Sequence, residues 1–304
     1  MLKKQLLFLL ACSLSLCSVA QDSNFNDYNS SKINLNPAFA GSDSAFTLSS
    51  ANEFHPGNSF DRSNSFFFSA DNYFRFLRGG LAIRYENIRS WGGRIRTNQV
   101  HLSYAPHFEL FDHTLAIQPA LEVGVFQHVE KTFFIAPDGS SSTDPGPDPS
   151  IPWSGYTKSN IDFSGGLLFF TKRFYGGIAI HHINRPEYTH YIGLNLPIRF
   201  TLHTGANLAA GNFILSPTIL MISQEDYNYI QLGLRAKYKI LTFGLDVAVN
   251  TIIPEIGLQN RFFKLSYCYS YVNDRFVKNP GTHELHFNWY FKHKNKKQLS
   301  LRMI

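Results

Sequence analysis

Beyond its first twenty residues the chain contains no apolar run near the ~18 residues a membrane-spanning helix needs, yet it repeats apolar side chains at every second position. Leu81, Ile83 and Tyr85 alternate with Ala82, Arg84 and Glu86. Leu121, Val123 and Val125 alternate with Glu122 and Gly124, and Leu245, Val247 and Val249 with Asp246 and Ala248. Leu265, Tyr267, Tyr269 and Tyr271 continue the pattern, as do Leu285, Phe287, Trp289 and Phe291. Period two is the signature of strands with one apolar face, and helical spacing is sustained nowhere, which argues against an α/β enzyme.

Fourteen strands are expected, near residues 43–54, 62–74, 79–89, 94–104, 113–127, 160–170, 173–183, 194–206, 212–222, 227–238, 240–250, 252–260, 263–271 and 283–291. Pro254 interrupts the twelfth, since proline has no donor for a sheet ladder. The even count, and 15% aromatic against only 16% charged residues, fit a transmembrane antiparallel β-barrel of about 14 strands with aromatic girdles. Connection lengths agree: Thr171-Lys172 and Lys239 are short turns expected on the periplasmic side. The longest connection, His128 to Ser159, and those at 184–193 and 272–282 fall outside. The Ala105 to Asp112 connection is the exception, long for a periplasmic turn.

Residues 1–20 read as a secretory signal, with Lys3 and Lys4 ahead of an apolar stretch from Leu6 to Leu16 and a small-residue site at Ser18-Val19-Ala20 before Gln21. Leu9-Leu10-Ala11-Cys12 also resembles a lipid-attachment box, but the apolar run before Cys12 is only six residues and further apolar sequence follows it. Loss of the signal leaves Cys268 as the single cysteine, which argues against an internal disulfide or a Cys-based zinc site. Residues 21–42 then form an N-terminal periplasmic or plug-like segment, 43–291 the barrel and 292–304 a basic tail. The formal charge of +6 resides at the ends. Setting aside the two signal lysines and the five cations of the tail leaves 21 basic against 22 acidic residues, so the body gives no support to nucleic-acid binding.

Before the first strand stands Asn34-Leu35-Asn36-Pro37-Ala38-Phe39-Ala40-Gly41. Taken alone, Asn36-Pro37 and Gly41 are turn punctuation. Further on come Ile161-Asp162-Phe163-Ser164-Gly165-Gly166, Arg173-Phe174-Tyr175-Gly176-Gly177, His182-Ile183-Asn184-Arg185-Pro186 and Gly281-Thr282-His283-Glu284-Leu285. In this order the segments resemble the PorP/SprF family of type IX secretion, with Asn36, Pro37, Ala38, Gly41, Asp162, Gly166, His182, Pro186, His283 and Glu284 as the motif residues. The resemblance implies a barrel in the bacterial outer membrane. It also implies a role with the type IX secretion and gliding machinery, handling or anchoring secreted surface proteins or adhesins, with outer-membrane lipid as its surroundings. Two features depart from the family: the chain runs thirteen residues past Phe291, and the Ser140 to Pro149 tract is long.

No catalytic, cofactor or metal residue is expected. His181 and His182 are adjacent in a strand and should point to opposite faces, unable to share an ion. Neither a His-Glu-x-x-His site nor a Gly-x-Ser-x-Gly elbow occurs. The alternatives are a diffusion channel for small solutes, which needs an open lumen, and an outer-membrane hydrolase, which needs a catalytic set on one rim.

Overall fold

The computed structural model describes residues 25–43, 45–57, 62–131, 134–135, 141–142, 156–188, 195–272, 281–291 and 299–301. The signal stretch and the Ser140 to Pro149 tract therefore lie outside the described residues, apart from Ser141 and Ser142, which pair with Phe134 and Ile135.

Fourteen antiparallel strands close into a barrel. They are β1 Thr47–His55, β2 Ser63–Phe74, β3 Gly79–Ser90, β4 Ile95–Pro106, β5 Leu115–Glu130, β6 Tyr156–Phe170, β7 Phe174–His181, β8 Arg199–Ala206, β9 Phe213–Gln224, β10 Tyr227–Tyr238, β11 Leu241–Ala248, β12 Thr251–Gln259, β13 Phe263–Val272 and β14 Thr282–Tyr290. Each pairs with its neighbour in sequence, and β1 meets β14 from Thr47↔Tyr290 to Phe54↔His283. Closure leaves no unpaired edge, the condition under which strands can stand in lipid.

Alternation places the residue classes inside out relative to a soluble protein. Leu121, Val123, Leu232, Leu245 and Leu285 lie exposed on the outer wall, whereas Arg84, Glu122, His101, Asp246 and Lys264 are buried within. Val247 points out and Ala248 in, but both stand at the end of β11. Leu232 lies midway along β10 and reports on depth more directly. Leu232→Arg is expected to cost ~2–4 kcal/mol, against ~0–1 for Val249→Arg beside the rim. Equal costs in reversible unfolding from lipid would contradict the assignment of the outer wall to membrane.

The long connection expected at Ala105–Asp112 is shorter than its sequence suggests. Phe108–Leu110 pairs with Leu115–Ile117 and prolongs β4 along β5, so residues 111–114 alone make the turn, with Phe111, Asp112 and His113 all at positive φ. The longest connection is likewise trimmed, because β5 runs to Glu130 and β6 starts at Tyr156. Pro254 sits inside β12, facing out. Its missing N–H shows in the ladder to β13, which pairs Ile252↔Tyr271 and Glu255↔Cys268 but leaves out the two residues between.

Candidate functional site: the seat of the N-terminal segment

Residues 25–43 pass through the barrel interior, and all but Asn26 are buried. Phe25, Tyr28, Ile33, Leu35 and Phe39 form one apolar core with Phe67, Leu168, Phe170 and Leu220 of the inner wall. A short helix α1, Lys32–Leu35, is followed by a 3-10 turn at Pro37–Phe39. Asn36 joins the two. Its Oδ1 accepts from the Ala38 N–H at 2.9 Å and caps the turn, a capping geometry in which Pro37 fits because the first helical N–H has no partner to lose. Its Nδ2 donates to the carbonyls of Leu167 at 3.2 Å and Ile178 at 3.1 Å, with His203 Nε2 at 3.0 Å.

Two close approaches explain glycines in the wall. A Cβ on Gly166 would fall 2.1 Å from Asn36 Oδ1, and one on Gly80 would fall 2.0 Å from the Ala40 carbonyl oxygen. Gly41 faces Gly80 with φ +66°, a left-handed conformation that side chains disfavour. Its N–H donates to Asp71 Oδ2 at 3.0 Å.

Other main-chain groups of the segment find partners across the lumen. The Leu35 carbonyl accepts from His181 Nε2 and Thr201 Oγ1 at 3.1 and 3.2 Å. The Ser30 carbonyl accepts from Asn288 Nδ2 at 2.8 Å, and Gln118 Nε2 donates to the Ala40 carbonyl at 3.3 Å. Glu284 receives the Asn26 N–H at 2.9 Å and holds His286 Nε2 at 3.0 Å. A buried irregular segment, lacking a ladder or helix of its own, must find such partners for its backbone N–H and C=O groups.

Two buried charge clusters flank the segment. Arg235 meets Asp246 and Glu255 at 2.7 Å each and Asp27 at 3.5 Å, while Lys264 meets Asp27 at 3.1 Å and Glu255 at 3.5 Å. The Asp27 carboxylate thus has its counter-charges in Lys264 and Arg235, the pairing a buried charge needs. On the opposite wall Arg84 meets Glu122 at 2.9 Å, Glu86 at 3.5 Å and Asn34 Oδ1 at 3.2 Å. Asp162 takes His182 Nδ1 at 2.9 Å, with His101 Nε2 at 3.6 Å. Ligating atoms of Asp27, Cys268 and His286 lie within 4.8 Å of one another. Asp27 Oδ2 is already engaged by Lys264, Ser266 and Ser30, so the carboxylate serves an ion pair.

The reading of His181 and His182 as opposite-facing is corrected. β7 ends at His181, and His182 turns to φ +58°, which swings both rings inward, where both are buried. The chain's end also returns to the seat: Leu299 and Leu301 are buried, the Leu301 N–H donating to the Ser42 carbonyl at 2.9 Å and the Leu299 N–H to Glu109 Oε1 at 2.8 Å.

The sequence profile described as type IX secretion system membrane protein PorP/SprF matches residues 18–289. The chain belongs to the PorP/SprF family. It is a type IX secretion membrane protein with an outer-membrane barrel fold. Among solved structures it is similar to a TodX ΔS2S3 mutant monoaromatic hydrocarbon channel at 8% identity, covering 88% of this chain and 93% of that one, TM-score 0.47. The Haemophilus ducreyi BamA lacking POTRA domains 1–3 aligns at 8% identity over 82% of this chain and 70% of that one, TM-score 0.42. The β domain of the Bordetella autotransporter BrkA aligns at 13% identity over 82% and 100%, TM-score 0.35. No curated protein matches the sequence.

Of the motif residues in this PorP/SprF chain, Asn36, Pro37, Ala38 and Gly41 shape the segment, Gly166 lies beneath Asn36, and Glu284 holds Asn26. Asp162 and His182 pair on the inner wall. Pro186 and His283 lie elsewhere. The Pro186 carbonyl accepts from Leu196 N–H at 2.8 Å in the connection after β7, and His283 faces outward with the Tyr267 hydroxyl 2.7 Å from its Nδ1. Sequence reasoning missed Gly80, His203, Arg84, Glu122, Arg235 and Lys264. The charged ones had a signal: each breaks into an apolar strand on the inward phase of its alternation.

Proposed function

We propose that this PorP/SprF protein is a non-catalytic outer-membrane partner for secreted surface proteins of the type IX pathway, handling or anchoring them at its rims. The occupied lumen carries the reading. An open diffusion channel requires a water-filled passage, and here the interior is taken by residues 25–43, bonded to walls on opposite sides. What the barrel offers a partner is its rims. The connection at 131–155 is the longest and is the segment proposed to tune which partner is accepted. The lumenal histidines work as structural donors and acceptors, which supports a non-enzymatic role; export by cleavage near Ala20 and participation in gliding belong to the same proposal.

The test is a deletion strain complemented with the full-length gene and with a version shortened within 131–155. Loss of particular proteins from the cell surface, restored by the full-length gene, is the expected result. An unchanged surface proteome together with reduced solute uptake would overturn the proposal in favour of the channel. Purification from native membranes should bring secretion components or surface adhesins with the barrel.

A further inference from the structure

The two rims differ in charge. At one, the strands are joined by the short connections 75–78, 111–114, 171–173, 211–212, 239–240 and 260–262, and both ends of the barrel strands emerge there. These turns hold six cations, Arg75, Arg78, Lys172, Arg173, Lys239 and Arg261, against one acid, Asp112, and all seven are exposed. Read from the sequence, the connections of the opposite rim (56–62, 91–94, 131–155, 182–198, 225–226, 249–250 and 273–281) hold six cations against eight acids. The asymmetry lies in the connections, since the body of the chain is near neutral.

Aromatic rings accompany the cations. Phe76 is 80% exposed and Phe111 75%, and both project from the same turns as Arg75, Arg78 and His113. The Arg261 guanidinium lies 4.5 Å from the centre of the Phe262 ring, and the Lys239 ammonium 5.3 Å from that of Tyr238. Phe108, Phe174 and Phe213 continue the aromatic belt around the same end. Rings at this level mark the boundary between hydrocarbon and headgroups. The cations beside them are therefore held at phosphate depth, where an exposed guanidinium binds phosphate oxygens through paired N–H donors.

We propose that the short-turn rim is a binding surface for anionic phospholipid headgroups of the leaflet in which it sits. Charge complementarity names the occupant: a belt of cations level with the aromatic boundary meets the phosphate diester layer, with the ring faces covering the first acyl carbons. The proposal rests on the barrel and its charge distribution, and stands apart from any assignment of cargo.

The experiment measures equilibrium binding of a fluorescent phosphatidylglycerol to the purified full-length protein in neutral detergent, with the matching phosphatidylcholine as comparison. The native protein should prefer phosphatidylglycerol by at least about fivefold. Arg75→Gln, Arg78→Gln, Arg173→Gln and Arg261→Gln combined should abolish that preference, and Arg62→Gln, Arg94→Gln and Arg185→Gln at the opposite rim should leave it. The four corresponding Arg→Lys changes retain the charge but lose the paired N–H donors; they should lower the preference at least about twofold without abolishing it, an outcome that tests the rim if the Gln variant does not fold. Equal binding of both lipids, an undiminished preference in the Gln variant, or equal loss from the opposite rim would overturn the proposal. So would displacement of phosphatidylglycerol by soluble polyglutamate at equal charge, which would make the rim a surface for an acidic protein.

Discussion

Arg235→Met is expected to destabilise the barrel by about 3–5 kcal/mol, the usual cost of removing one member of a buried ion cluster. The guanidinium stands between Asp246 and Glu255 at 2.7 Å and reaches Asp27 at 3.5 Å. Methionine of similar reach fills the space but leaves three carboxylates, of which Lys264 meets only Asp27 and Glu255. Burial makes this costly, because a carboxylate without a counter-charge in low dielectric keeps its full desolvation penalty. Asp246→Asn and Glu255→Gln added to Arg235→Met should recover more than half of the loss. Detergent and urea unfolding, followed by the shift in migration between unboiled and boiled samples, measures both. A loss below about 1 kcal/mol would mean that the cluster is solvated and the lumen is not packed as described.

Gly80→Val is expected to expel the N-terminal segment while leaving the barrel closed. Its Cβ would enter the Ala40 carbonyl at 2.0 Å and crowd the Gly41 nitrogen at 2.6 Å. Both are backbone atoms that no rotamer change can clear, whereas valine itself suits a strand. Overpacking of this kind costs about 1–3 kcal/mol. Placed on the docking equilibrium of the segment alone, it raises the undocked population roughly 5- to 150-fold. Lys32 is buried in the segment, so trypsin cleavage after it reports undocking. Faster cleavage by at least about fivefold with an unchanged heat-dependent migration is the expected outcome. Equal cleavage rates in native protein and variant would show that Gly80 does not seat the segment.

The barrel was legible because it is a local property repeated fourteen times. Leu245, Asp246, Val247 and Ala248 announce their faces one residue at a time, and short turns such as Lys239 announce where strands reverse. Even Pro254 was compatible with a strand, since two skipped pairs in the ladder absorb its missing donor and the register resumes at Glu255↔Cys268. The interior was not legible in the same way. Residues 25–43 have no periodicity, and their partners lie far off in sequence: Asn36 reads the main chain of β6 and β7, and Ser30 reaches Asn288, 258 residues away. Asn36-Pro37 and Gly41 therefore looked like turn punctuation, and the resemblance, not the residues, marked them out. His182 escapes the alternation because it lies one residue past the end of β7, at positive φ. Leu299 and Leu301 carry no periodic signal, standing as two apolar residues in a stretch whose composition is dominated by Lys292, Lys294, Lys296 and Lys297.

Single-channel recording tests most directly that the chain's own N-terminal segment occupies the lumen. The purified full-length protein in a planar bilayer is expected to show no steady conductance, whereas a version lacking residues 25–43 should open stable, stepwise pores through the polar inner wall of Arg84, Glu122, Arg235 and Lys264. Steady conductance of the full-length protein equal to that of the shortened one would contradict the account and return the barrel to the diffusion channels.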